Sequence, residues 1–99
     1  MAHHILTLKY DKTGFTPEKE LRAYEGDTIS FEFIIDSPNS GFRITMDKNY
    51  FSPAEVTDSR TKVTVGGLPG LSAYHCEVTS GNTSLFKSNE GKPGGGVRP

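Results

Sequence analysis

The apolar residues of this chain recur with a period of two wherever any period is visible, and no other feature limits its possible folds as much. Thr28 to Ile35 shows it best: Ile29, Phe31, Phe33 and Ile35 fall on one face, Ser30 and Glu32 on the other. Successive side chains leave an extended backbone on opposite sides, so this alternation describes a strand with one buried and one wet face. No helix-length window carries apolar residues at i, i+3, i+4 and i+7 without interruption by Gly or Pro. An all-β fold is expected.

Shorter stretches repeat the pattern. Leu6, Leu8 and Tyr10 alternate with Thr7 and Lys9; Leu21 and Ala23 with Arg22 and Tyr24; Phe42, Ile44 and Met46 with Arg43, Thr45 and Asp47. Val63 and Val65 alternate with Lys62 and Thr64, and Tyr74, Cys76 and Val78 with His75 and Glu77. Turns rich in Gly, Pro, Asn and Ser separate these stretches, as at Glu25-Gly26-Asp27, Ser37 to Gly41 and Gly66 to Gly70. With a weaker strand over Ser84 to Lys87, about seven strands are expected. The 99 residues, 33% of them apolar, suffice for one core and not two. Half-buried strands must then cover one another's apolar faces, which predicts a Greek-key β-sandwich over residues 1–88. Residues 89–99 hold Gly91, Pro93 and Gly94 to Gly96 and offer little to bury, so they are expected to form a flexible Gly/Pro-rich tail.

Several function classes fall away at this stage. Eleven Lys and Arg against twelve Asp and Glu leave a net charge of -1, which gives nucleic acid nothing to hold. No apolar run approaches the ~20 residues of a membrane span, and the start lacks the charged and then apolar run of a signal peptide. The lone Cys76 can close no intrachain disulfide and build no Cys-rich zinc site. Neither a G-x-S-x-G elbow nor a phosphate loop is present, so no enzyme activity is expected.

Four groups of residues remain as candidates. Cys76 shares a strand face with Tyr74 and Val78 and reads as a small buried hydrophobe, while its neighbour His75 is directed to the opposite face beside Glu77. His3 and His4 are compatible with a native start and with the remnant of an added tag; a free amine with His as third residue also has the spacing that wraps Cu(II) in nitrogen ligands. Asn82-Thr83-Ser84 is a glycosylation sequon that matters only in a secreted eukaryotic chain. Tyr50 and Phe51, ahead of Ser52-Pro53, either plug one end of the sandwich or form an exposed binding patch.

Two segments carry a family resemblance. Phe15-Thr16-Pro17 followed by Leu21 to Phe31, with Gly26-Asp27-Thr28-Ile29-Ser30-Phe31 at its end, resembles the opening of the cupredoxins, the small blue-copper proteins of the plastocyanin type. Pro69-Gly70, six residues before Cys76, resembles the strand that delivers the copper thiolate in that family. The likeness covers residues 4 to 80 and implies a cupredoxin-like sandwich working outside the cytoplasm. Type 1 copper needs two imidazoles and a thiolate, usually with a weak axial Met. The position of the family's first His falls on Phe42 and that of the second on Thr79, and no His or Met follows Cys76. The resemblance therefore implies a fold without its usual copper site: no metal or other cofactor is expected, and a protein or small ligand is the expected partner. Two readings stay open beside it. One is an unusual copper-binding or electron-transfer site using Cys76, His75, His3 or His4. The other is an immunoglobulin or fibronectin-type adhesion domain, against which stand the lack of a core Trp and of a partner for Cys76.

Overall fold

A computed structural model describes residues 1–16, 20–89, 91 and 93–99. The described residues contain no helix; they form two mixed sheets facing each other across one core, a sandwich-like all-β arrangement. Strands β1 (His3–Asp11), β2 (Gly14–Thr16), β4 (Thr28–Ile35), β6 (Phe51–Ser52) and β8 (Val63–Val65) make the first sheet, in the order β2-β1-β4-β8-β6. The second sheet runs β3 (Leu21–Arg22), β11 (Gly95–Arg98), β9 (Ser72–Ser80), β5 (Ser40–Thr45) and β7 (Glu55–Val56), with β10 (Thr83–Lys87) also paired to β9.

Two pairings are parallel. β1 runs beside β4 from His3 opposite Thr28 to Tyr10 opposite Ile35, and β3 beside β11. Parallel neighbours cannot be joined by a hairpin. The chain between β1 and β4 accordingly leaves the first sheet, contributes β3 to the second and returns.

The alternation read from the sequence sets the faces. Leu6 and Leu8, Ile29 and Phe31, and Val63 and Val65 point inward from the first sheet, and Ile44, Val56, Tyr74, Cys76 and Val97 from the second; all are buried. Phe31 meets the Tyr74 ring edge-on across the core, with centroids 5.5 Å apart. One end of the molecule is closed by aromatic rings from both sheets. Phe15 of β2 stacks on Phe86 of β10 at 4.7 Å and touches Phe33, which packs on Phe42 at 5.4 Å.

Three expectations change. More strands form than the pattern shows, because β2, β6 and β7 have only two or three residues each and are too short for alternation to register. Gly95–Arg98 are not tail: they form β11 between β3 and β9, with Val97 fully buried. The glycines there are small because the core leaves no room, since a Cβ on Gly94 would lie 2.9 Å from Cys76 Sγ and one on Gly95 would collide with the Tyr74 ring. Phe51, 3% exposed, belongs to the core, and Tyr50 packs against it half-buried, so the two present no exposed patch. The rings of Phe15, Phe33, Phe42 and Phe86 form a separate aromatic group. Pro17 of the Phe15-Thr16-Pro17 motif and, within 89–99, Glu90 and Lys92 lie outside the described residues.

Candidate functional site

Cys76 stands in the middle of β9, opposite Ile44 of β5. On its other side β9 has two partners in succession: β10 pairs with Glu77 to Ser80, and β11 with Ser72 to Tyr74. Cys76 sits where one partner hands over to the other. Ser88, just past β10, bridges the gap: its amide donates to the Cys76 carbonyl at 2.9 Å, and its Oγ accepts from the Cys76 amide at 2.8 Å. A side chain thus replaces the missing backbone acceptor, as a buried N–H requires. The Gly94 amide closes the handover by donating to the Tyr74 carbonyl at 2.8 Å.

The thiol itself is sealed in. Cys76 is 3% exposed, and burial, opposed by a hydrogen bond with Ser88, pushes its pKa up to about 11. At neutral pH the sulfur keeps its proton, whereas both metal ligation and nucleophilic attack need the thiolate.

His75 projects from the opposite face of the sheet, beside Thr45 of β5. Its Nδ1 lies 3.4 Å from Ser88 Oγ. Here a cleft of about 150 Å³ opens, lined by Arg43, Thr45, His75, Cys76, Glu77, Lys87 and Ser88. Arg43, Glu77 and Lys87 form one rung across β5, β9 and β10. Sequence reasoning missed Ser88, Arg43, Thr45 and Lys87 as members of one site. They come from two strands, β5 and β10, and the residue that follows β10, and no local spacing announces their convergence with His75.

The remaining candidates lie elsewhere. His3 stands on the outer face of the first sheet, its ring between Thr28 Oγ1 at 2.6 Å and Ser30 Oγ at 3.2 Å. His4 points the other way, with Nε2 2.9 Å from Asp27 Oδ2. Asp27 is 4% exposed and also accepts from the amides of Ala2 and Tyr24. The His4 imidazole first, and those amides next, hold its carboxyl far below the usual carboxylate range. His3 and His4 are therefore structural members of β1, engaged at separate places.

The two positions that the family resemblance assigns to copper imidazoles diverge. Phe42 pairs with Val78 and shares the inner face with Cys76, whereas Thr79 pairs with Gly41, falls on the outer face, and its Oγ1 donates to the Gly41 carbonyl at 3.4 Å. Placing His at both would not bring two imidazoles to Cys76. Among the described residues, no three His, Cys, Asp or Glu side chains gather closely enough to hold a metal ion. No described helix is long and apolar enough to cross a membrane. Comparison with protein-family models, with curated proteins and with solved structures returns no match to this chain.

Proposed function

We propose that the chain is a noncatalytic, cupredoxin-like Greek-key domain without a type 1 copper centre, acting by binding a small ligand in the cleft beside His75. The parallel pairings β1 with β4 and β3 with β11 support this arrangement over an immunoglobulin-type adhesion domain, whose sheets are antiparallel. The observation that carries the reading is the separation of donors: His3 is held by Thr28 and Ser30, His4 by Asp27 and His75 by Ser88, while the Cys76 thiol is buried on another face. A trigonal thiolate and bis-imidazole centre needs those groups at one point.

Copper added to tag-free protein tests it. The expected outcome is no intense visible thiolate-to-copper absorption. A strong band that vanishes in Cys76→Ser would overturn the proposal.

A further inference from the structure

We infer that the cleft beside His75 is a binding site for a small phosphate-bearing anion, with Lys87, Arg43 and His75 as its donors. The inference rests on the binding role proposed above and adds the ligand's chemistry.

The cleft has the size for it. Its volume of about 150 Å³ compares with about 30 Å³ for each water of the bulk liquid, so a tetrahedral oxyanion and one or two waters fit. Its walls carry the charge. Lys87 and Arg43 stand on β10 and β5, on either side of β9 and level with Glu77, so two cations flank the opening. Lys87 makes no ion pair with the described residues. The Arg43 Nε has a loose, exposed contact with Glu55 at 3.5 Å, which leaves the rest of the guanidinium fork for another acceptor. Glu77 is the one carboxylate in the lining, and its Oε2 accepts from Ser84 Oγ at 3.1 Å, one rung further from His75.

Ser88 orients the third donor. Its hydroxyl oxygen takes the Cys76 amide proton and lies 3.4 Å from His75 Nδ1, so its own proton is shared between that nitrogen and the Cys76 sulfur. A neutral imidazole accepting at Nδ1 carries its proton on Nε2, which makes that nitrogen a donor. Thr45, opposite His75 on β5, adds a hydroxyl to the same wall. Separate donors on β5, β9 and β10 suit the several oxygens of a tetrahedral anion better than a planar carboxylate, which favours two parallel bonds from one fork.

Titration of the isotopically labelled full chain with inorganic phosphate, followed by NMR at constant pH and ionic strength, tests the site, with acetate and chloride as parallel arms. Saturable shifts are expected at His75, Thr45 and Ser88 with phosphate and not with chloride. Lys87→Gln, at an exposed position, should weaken binding about three- to tenfold, while Lys87→Arg retains it. Glu77→Gln should tighten it by about twofold, since it removes the carboxylate that lines the cleft. Absence of saturation, or equal binding by acetate, overturns the inference. So does an affinity untouched by Lys87→Gln, which would mean an adventitious ion only. The copper experiment fails independently: a thiolate band would remove the proposed noncatalytic role without altering the phosphate result, and a silent phosphate titration would leave that role standing with its ligand class wrong.

Discussion

At the scale of single residues, Ser88 is where structure and site meet. Its hydroxyl satisfies a buried amide of Cys76 and touches His75, so one side chain supports the sheet and orients the ring. In Ser88→Ala the Cys76 N–H loses its acceptor, and a buried donor left unpaired costs about 1–3 kcal/mol. An unfolding free energy lowered by that amount, read in urea as a lower midpoint at unchanged slope, is expected; an unchanged midpoint would mean that water or a shifted backbone replaces the hydroxyl. Cys76 itself works as a packing residue. Its sulfur lies so close to Gly94 that neither position tolerates added bulk.

Among the elements, β11 is the one whose role is least apparent from its composition. Three of its neighbouring or constituent residues are Gly, yet it joins β3 to β9 and buries Val97, and the Ala23 amide donates to the Arg98 carbonyl at 2.8 Å. Val97→Ala is expected to cost about 2 kcal/mol, between the values typical of smaller and larger deletions of buried aliphatic groups. A flexible tail would show no measurable change, so equilibrium denaturation of this one variant separates the alternatives. β10 contributes differently: Phe86 on it stacks against Phe15 of the opposite sheet, so the strand closes an end of the sandwich as well as bearing Lys87.

For the molecule as a whole, stability should depend on acid through Asp27. This carboxylate, lying between the strand start at Ala2 and His4 and the turn at Tyr24, ties β1 to the segment that leads into β4. Its folded-state pKa is depressed, so below the ordinary carboxylate range the unfolded chain binds a proton that the folded one does not. The stabilisation is therefore complete above about pH 4, the unfolded value, and is lost as pH falls toward the folded one. Thermal melts from pH 7 to pH 2 should show the midpoint falling on the acid side, with a shallower fall in Asp27→Asn. Half-buried Asp11 and exposed Asp58, held low by Thr13 and by Thr61 with Arg60, supply the residual slope. If Asp27→Asn kept the full slope, the acid sensitivity would belong to those turns.

The sequence by itself determined the all-β class, the inward faces of the long strands and the absence of His and Met after Cys76. Alternation is a local consequence of extended backbone, and Ile29, Phe31, Tyr74 and Val78 announce their side of the sheet without reference to anything distant. Only the tertiary structure decided what covers those faces and what meets at the cleft. Gly94 and Gly95 read as flexible because small residues usually are; they are small here because Cys76 and Tyr74, about twenty residues earlier in the chain, occupy the space their side chains would need. Ser88, His75, Lys87 and Arg43 become neighbours only through the register of β5, β9 and β10. Register is set by which strands pair across the whole molecule, information that no window of sequence contains.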